Sequence, residues 1–120
     1  MAAKDDLGRA GEARAAQHLS RSGYDIVDRN WRCPDGELDL VAVRGREVVV
    51  VEVKTRRSDG YGDPLEAVDA RKRARLWRLA HRWRHEHPDH ATGRVLRLDV
   101  IGITGADPWS GRLVHLEDIR

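Results

Sequence analysis

The stretch GELDLVAVRGREVVVVEVKT (36–55) decides the fold, because it contains two apolar runs separated by a short polar turn. Gly45 and Arg46 lie between the two runs. Glycine suits the first central position of a two-residue type II′ turn, which joins antiparallel strands. The pattern therefore predicts a hairpin in which Arg44 pairs with Glu47.

Charged residues interrupt the valine run of this hairpin just before it ends. Counting outward from the turn places Asp39 opposite Glu52 and Glu37 opposite Lys54. Directly opposed residues of an antiparallel pair share one face of the sheet. One face would then carry these four charged residues. The other face would carry the apolar residues Leu38, Leu40, Val51 and Val53.

The charged face predicts a metal site. Two opposed carboxylates cost free energy unless a positive charge lies between them. Carboxylate and carbonyl oxygens are the hard ligands that Mg²⁺ or Mn²⁺ prefers. Lys54 points the same way as Glu52 and could position a water or bind a phosphate oxygen, as metal-assisted phosphodiester hydrolysis requires. The alternative is an ordinary solvated strand face with a Glu37–Lys54 surface ion pair.

The rest of the chain divides into helix and strand patterns around the hairpin. Asp5 or Asp6 can cap a first helix that runs to about Ser22 and is stopped by Gly23. The later elements are expected to be a strand at 24–31, a turn at 33–36, hairpin strands at 37–44 and 47–55, a polar loop at 58–64, a helix from Pro64 to His87, and strands at 94–103 and 112–119. The order α-β-β-β-α-β-β predicts an α/β domain with a mixed sheet and helices packed on it.

One charged residue interrupts the inward face of each predicted helix. Glu12 lies among small and apolar residues of the first helix, namely Gly8, Ala16, Leu19 and Gly23. Lys72 interrupts the stripe of the second helix, which comprises Leu65, Val68, Leu76, Leu79 and Trp83. Both helices are expected to cover the sheet, so these two positions favour a functional interpretation of the charged hairpin face.

Length and charge set the broad class of protein. The chain has 120 residues, which suits a single domain over 1–120, and its formal net charge is +2. Seven Lys or Arg and no acid lie in the range 71–84, which suits a nucleic acid or simply the solvated face of a helix. The single cysteine, Cys33, fits a cytoplasmic protein, and no apolar run approaches the roughly 20 residues of a membrane span.

Three further features leave alternatives open. The histidines of the second helix and the turn after it (His81, His85, His87 and His90) suit solvent better than zinc, because no HExxH pattern accompanies them. Trp83 is expected in the core. Asp99 interrupts the strand RLDVIGI (97–103) and either belongs to an outer shell of the metal site or faces water.

At these residues the chain resembles the PD-(D/E)XK nuclease superfamily, whose name describes an acidic residue followed later by Glu-x-Lys. More closely, it resembles the small bacterial YraN-type family. The resemblance rests on GRAGE (8–12), RNWR (29–32), GELDLVA (36–42), VVVEVKTR (49–56), AVDARK (67–72) and RLDVIGI (97–103), and spans roughly residues 8–118. Archaeal Holliday-junction resolvases share the layout of the first half. Asp39 is preceded by Leu38 and not by the proline of the signature.

The resemblance implies a restriction-endonuclease-like fold and a set of site residues. Asp39 and Glu52 correspond to metal ligands, which the backbone carbonyl of Val53 often joins, and Lys54 corresponds to the catalytic lysine. Glu12 matches a helix glutamate that supports the metal site. The nucleic-acid contacts expected around this set are Arg56, Arg57, Arg71, Lys72, Arg75 and Arg78.

The expected function is therefore Mg²⁺- or Mn²⁺-dependent endonucleolytic hydrolysis of DNA, with branched or structured DNA as the suggested substrate. Symmetrical cleavage of a junction would need two active sites and so a homodimer. The alternative is a non-catalytic nucleic-acid-binding module that keeps the fold. A structured RNA substrate and a role in protein interaction stay open at this point.

Overall fold

The valine-rich hairpin lies at the centre of an α/β fold. The computed structural model describes residues 2–58, 66 and 68–119, with side chains from residue 6 onward. Its elements are α1 (Ala2–Arg21), β1 (Asp25–Cys33), β2 (Gly36–Arg44), β3 (Glu47–Arg56), α2 (Ala70–Glu86), α3 (Pro88–Ala91), β4 (Val95–Thr104) and β5 (Arg112–Leu116). The predicted order of helices and strands is confirmed, apart from the additional short helix α3.

The five strands form one open mixed sheet in the order β1-β2-β3-β4-β5. The pair β3–β4 is parallel, and every other neighbouring pair is antiparallel. Parallel neighbours need a crossover connection, which here contains α2. The valine strand β3 lies between two neighbouring strands, and apolar layers cover both faces of the sheet, as its near-continuous apolar sequence requires.

The predicted hairpin turn is confirmed. Arg44 pairs with Glu47, and the antiparallel ladder continues as far as Leu40 opposite Val51. Gly45 has a φ of +57°, the left-handed conformation that the first central position of a type II′ turn needs.

The predicted pairing beyond that ladder is wrong. The ladder of β2 and β3 ends at Leu40 and Val51, so Asp39 is not a backbone partner of Glu52. The carboxylate of Asp39 instead accepts a hydrogen bond of 2.8 Å from the backbone N–H of Val53. The side chain of Asp39 thus takes the place of a backbone acceptor where the two strands separate.

The separation also changes one predicted face. Leu40, Val51 and Val53 lie together in one core cluster, as expected. Leu38 packs in the other cluster, with Val50 and other buried residues. Residues of β2 before Leu40 pair only with β1. The register with β3 therefore no longer determines which face of the sheet their side chains occupy.

The core consists of two apolar layers, one on each side of the sheet. The layer that contains Leu76, Leu79 and Trp83 of α2 packs on one face. The layer that contains Ala15 and Leu19 of α1 packs on the other. The predicted burial of Trp83 is confirmed, and its indole N–H donates to a carboxylate oxygen of Asp28 at 2.8 Å.

Several predicted boundaries are corrected by the structure. Helix α1 begins at Ala2, before the expected caps Asp5 and Asp6. Helix α2 begins at Ala70 and not near Pro64, because Asp69 has an extended backbone and its side chain accepts from the N–H of Lys72. Strand β5 ends at Leu116, earlier than the predicted end at 119. Residues 59–65 and 67, with most of the predicted loop and Leu65, lie outside the described residues.

Neither alternative considered for Asp99 is correct. Asp99 is fully buried and forms a pair with the guanidinium of Arg97, with two contacts of 2.9 Å. His115 and the backbone N–H of Asp118 also hydrogen-bond to this carboxylate. Asp99 lies opposite Val51 in the parallel register and shares its face of the sheet, so it belongs to the α1 side of the core.

Among the helices of the described residues, none combines the length and the hydropathy that a membrane-spanning helix needs.

Candidate active site

A polar pocket opens at the point where β2 and β3 separate. Its volume is about 300 Å³. The lining residues are Glu12, Glu37, Asp39, Glu52, Val53, Lys54, Lys72, Arg75, Leu76 and Leu79. Four carboxylates and three cationic side chains therefore converge on one cavity, from both helices and from the central hairpin.

The pocket brings together all four residues predicted to be catalytic. Asp39 enters from β2, Glu52 and Lys54 enter from β3, and Glu12 enters from α1. Lys72 reaches the same pocket from the first turn of α2. The two helix positions that interrupted apolar stripes in the sequence thus belong to the same site as the charged strand residues.

A glycine allows α1 to carry Glu12 into the pocket. Gly11 is buried, and a Cβ atom built on it would overlap the hydroxyl of Thr55 and lie 2.9 Å from its Cβ. The backbone of α1 can therefore approach β3 closely only because residue 11 has no side chain. Gly8, one turn earlier, has nothing within 4 Å of such a Cβ.

Glu52 holds the two lysines of the pocket. Its side chain is 8 % exposed, and its Oε2 atom lies 3.0 Å from the Nζ of Lys72 and 3.6 Å from the Nζ of Lys54. A buried carboxylate needs such compensation, because transfer of an unpaired charge out of water is costly. The ammonium group of Lys72, which was expected to contact nucleic acid, thus forms an ion pair with a predicted metal ligand.

The carboxylates of the pocket repel one another electrostatically. Burial, together with the negative charge of Glu52, raises the pKa of Asp39 to about 7, although the hydrogen bond from Val53 opposes that shift. Burial also raises the pKa of Glu12, and the charge of Glu37 adds to the effect. A cavity whose acids resist ionisation favours a ligand that is positively charged.

The donor set fits a hard divalent cation such as Mg²⁺ or Mn²⁺. Asp39 and Glu52 offer carboxylate oxygens, and Val53, whose backbone carbonyl would be a further hard ligand, lines the same pocket. Within the described residues no group of three or more His, Cys, Asp and Glu side chains is arranged to hold a metal. A divalent cation at this place would therefore be held by two side chains, and water or substrate would have to complete its shell.

The predicted nucleic-acid contacts fall into three groups. Lys72 and Arg75 line the pocket itself. Arg71 and Arg78 are exposed on α2, outside that cavity. Arg56 ends β3 and is half-buried, and Arg57 follows it and is exposed.

Asn30 is a site residue that the sequence analysis missed. Its φ of +50° places it in the left-handed region, although it lies within β1. Its side chain hydrogen-bonds to the carboxyl of Glu12 and lowers the pKa of that group against the effect of burial. Asparagine tolerates this backbone conformation better than most residues. Its position within RNWR (29–32) was the only signal in the sequence.

The histidines of α2 and of the turn after it differ in their contacts. The ring of His81 is tilted against that of Trp77, with centroids 5.6 Å apart, and His87 stacks on Trp83 at 4.3 Å. His85 is exposed. The exposed His81 and His85 agree with the expectation of solvated histidines, whereas the half-buried His87 packs on a tryptophan instead.

The chain belongs to the family described as uncharacterised protein family UPF0102, whose model matches residues 11–103. A UPF0102 protein of Paenarthrobacter aurescens is 52% identical over 119 residues, which is 99% of this chain and 97% of that protein. One from Beutenbergia cavernae is 50% identical over 119 residues, 99% of each chain. One from Acidothermus cellulolyticus is 57% identical over 109 residues, 84% of this chain and 83% of that protein. The resemblance to the YraN-type family is thereby confirmed.

Proposed function

We propose that this protein is a metal-dependent nuclease of the PD-(D/E)XK type that hydrolyses phosphodiester bonds in DNA. The observation that carries the proposal is the convergence of Asp39, Glu52, Lys54 and Glu12 in one pocket at the separation of β2 and β3. A solvated strand face, the alternative for these charges, does not account for a glutamate with 8 % side-chain exposure. A mixed sheet with a helix on each face also suits the restriction-endonuclease-like fold.

Each residue of the proposed active site has a separate role in the reaction. Asp39, Glu52 and the carbonyl of Val53 would hold Mg²⁺ or Mn²⁺, which when bound supplies positive charge to the reacting phosphate. The side chain of Lys54 is more exposed than that of Glu52, 3.6 Å away, and would donate hydrogen bonds to the attacking water or to a phosphate oxygen. Attack of water on phosphorus breaks one P–O ester bond and leaves a phosphate monoester and a hydroxyl. Glu12, which the side chain of Asn30 hydrogen-bonds, adds a further carboxyl beside the two proposed metal ligands.

The proposal extends to the kind of substrate. Arg75 lines the pocket and further arginines lie on α2 and at the end of β3, so the polymer would be held by its phosphates with a strong dependence on salt. Branched or structured DNA is the proposed substrate. Symmetrical cutting of a junction would require two copies of the pocket and hence a homodimer. The oligomeric state on a junction can be measured by sedimentation.

Cleavage of labelled substrates tests the proposal. The panel comprises duplexes, single strands, flaps, four-way junctions and structured RNA, each with Mn²⁺, Mg²⁺ or a chelator. We expect metal-dependent cutting of DNA that Lys54→Ala and Asp39→Asn reduce by at least about 100-fold, since both change groups at the reacting phosphate. Asp25→Asn and Arg46→Ala are controls on exposed residues away from the pocket and should cut normally.

Other outcomes discriminate between classes of function. Cutting that survives in both pocket variants, or in chelator, would contradict the proposed site. Salt-sensitive DNA binding without cutting, equal in wild type and variants, would instead support a non-catalytic binding module. Cutting restricted to RNA would support the proposed site but show that the substrate is RNA and not DNA.

A further inference from the structure

A second, smaller pocket adjoins the proposed active site between α2 and the turn that joins β1 to β2. Its volume is about 230 Å³, and Asp35, Arg75, Arg78, Leu79 and Arg82 line it. Arg75 and Leu79 also line the active-site pocket, so the two cavities share a wall. A polymer strand that leaves the active site on this side would therefore pass directly over the second pocket.

The three arginines of this pocket form one stripe of α2. Residues 75, 78 and 82 are spaced by three and four, which places them on one face of a helix. From the first to the last the helix rises about 10 Å, at about 1.5 Å per residue. The arginines thus form a row that runs away from the active site along the helix axis.

Arg75 is held in place before any ligand binds. Its Nε and one terminal nitrogen donate to the carbonyl oxygen of Asp35 at 3.3 and 3.2 Å. Gly36 makes room for the guanidinium, because a Cβ there would lie 3.0 Å from the same terminal nitrogen. Among the described residues no partner is found for the remaining donors of Arg75, which can therefore bind a ligand at the shared wall of the two pockets. An arginine that is already oriented loses less conformational entropy when it binds an anion.

The pocket has more positive than negative charge. Arg82 pairs with Glu86 at 3.0 Å and with Asp35 at 3.5 Å. Both pairs are exposed, with the Asp35 side chain 78% accessible, so each is weak and can be exchanged for another anion. For Arg78 no ion pair is found with the described residues. Three guanidinium groups and two weakly held carboxylates leave the site suited to one further negative charge.

We propose that this pocket binds the phosphodiester next to the scissile one on the same strand, through Arg75, Arg78 and Arg82. The inference rests on the proposed function, because it takes the neighbouring pocket as the place of cleavage. Guanidinium groups match phosphate oxygens with paired hydrogen bonds, which makes arginine the residue for this task. The substrate is then a strand with at least two consecutive phosphodiesters, and a dinucleotide with a single one is a poor substrate.

The salt dependence of binding tests the pocket without cleavage. A fluorescent 12-nucleotide strand and its duplex are titrated in chelator with the wild type, Arg78→Gln and Arg82→Gln. Arg84→Gln is the matched control, because Arg84 loses the same charge from the same helix but lines a different groove with Trp77. Each pocket variant should flatten the slope of log K against log salt by about 0.7–0.9. The control should keep the wild-type slope.

A neutral phosphate analogue tests the position of the contact. Methylphosphonate is placed on either side of the scissile phosphate, one position at a time. At one of the two positions it should weaken wild-type binding several-fold and add nothing to the defect of Arg82→Gln. Losses that multiply at both positions would overturn the proposed contact, as would equal slope changes in Arg84→Gln and the pocket variants.

The failure of the subsite and the failure of the nuclease proposal are distinguishable. Cleavage by the wild type with unchanged salt slopes in Arg78→Gln and Arg82→Gln would support the nuclease proposal and contradict the proposed phosphate pocket. Binding with the predicted slopes but no cleavage would support the phosphate pocket and contradict the nuclease proposal. Absence of any salt-dependent binding by the wild type would overturn both.

Discussion

Asp39 shows at the scale of one residue how the fold arranges charge in the site. Its carboxyl belongs to a strand, accepts a backbone hydrogen bond from Val53, and faces Glu12, Glu37 and Glu52. The N–H of Val53 favours the ionised form, but burial and the neighbouring charges raise the pKa to about 7. The group therefore stores unfavourable free energy at neutral pH, which a bound cation would relieve.

The first prediction is a pH-dependent gain of stability in Asp39→Asn. A raised pKa in the folded state means that Asp39 costs no stability below about pH 4 and most above pH 7. A shift from 3.8 to about 7 corresponds to at most about 4 kcal/mol. In chelator the variant should therefore match the wild type at pH 4 and be more stable at pH 8, as urea unfolding can measure.

Asp25→Asn is the control for this measurement, since Asp25 is exposed on β1. A difference between Asp39→Asn and wild type that does not change with pH would contradict the raised pKa. Addition of Mn²⁺ at pH 8 should raise the melting temperature of the wild type more than that of Asp39→Asn, because the variant loses a ligand.

The second prediction concerns Asn30, which positions Glu12. Asn30→Gly keeps the left-handed backbone and removes the side-chain hydrogen bond, whereas Asn30→Ala also adds backbone strain of about 1 kcal/mol. Both variants should bind Mn²⁺ several-fold more weakly in calorimetry, and only Asn30→Ala should be clearly less stable. Wild-type metal affinity in Asn30→Gly would show that the contact with Glu12 has no effect on the site.

At the scale of elements, the close packing of α1 on β3 determines whether Glu12 reaches the pocket. Gly11 faces Thr55 with no room for a side chain, and the next residue along the helix is Glu12. Gly8 lies on the same helix in open space. The two glycines of GRAGE (8–12) therefore have different physical roles, although the sequence presents them alike.

The third prediction follows from this difference. Gly11→Ala should destabilise the protein by about 1–3 kcal/mol, because the added methyl forces α1 away from β3. Gly8→Ala should stabilise it by about 0.5–1 kcal/mol, because alanine favours the helix and nothing opposes its methyl. Urea unfolding of both variants provides the comparison. Equal effects of the two substitutions would mean that α1 does not approach Thr55 closely.

At the scale of the whole molecule, a buried network around Arg97 connects distant parts of the chain. Arg97 in β4 pairs with Asp99 at 2.9 Å and with Glu47 of β3 at 2.8 Å. It also donates to the hydroxyl of Tyr24, and His115 of β5 hydrogen-bonds to Asp99 at 2.8 Å. Burial by itself would raise the pKa of Asp99, but the hydrogen bonds from His115 and Arg97 lower it below its ordinary value.

The fourth prediction is that Arg97→Met destabilises the protein by about 3–5 kcal/mol at pH 7, because it leaves Asp99 buried without its cation. A second change, Asp99→Asn, should restore part of that loss. A lowered pKa contributes stability above the ordinary titration range of aspartate, and this stability is lost as the pH falls. The effect of Arg97→Met measured by urea unfolding should therefore shrink near pH 3. An equal effect at both pH values would contradict the electrostatic explanation.

The candidate site could be predicted to a large extent, because its residues break local patterns. Glu52 and Lys54 interrupt a valine strand, and Glu12 and Lys72 interrupt helix stripes. Alternation in strands and the 3.6-residue repeat of helices are local, so such interruptions are visible in one sequence. All four residues lie in the same pocket.

Other features could not be predicted, because they depend on contacts between segments far apart in the chain. The contact of Lys72 with Glu52, the hydrogen bond of Asn30 to Glu12 and the burial of Asp99 each join different elements. The direct pairing of Asp39 with Glu52 was predicted from regular strand geometry. It fails because the strands separate where a side chain replaces a backbone acceptor.

The sequence by itself thus determined the elements, the hairpin turn at Gly45 and the identity of the charged residues that enter the site. Turn preference and side-chain periodicity act within a few residues, and so they can be read without coordinates. Only the tertiary structure decided the separation of β2 and β3, the close approach of α1 at Gly11 and the row of arginines beside the pocket. These features depend on how elements that are distant in the chain pack together, and a pattern within a few residues does not contain that information.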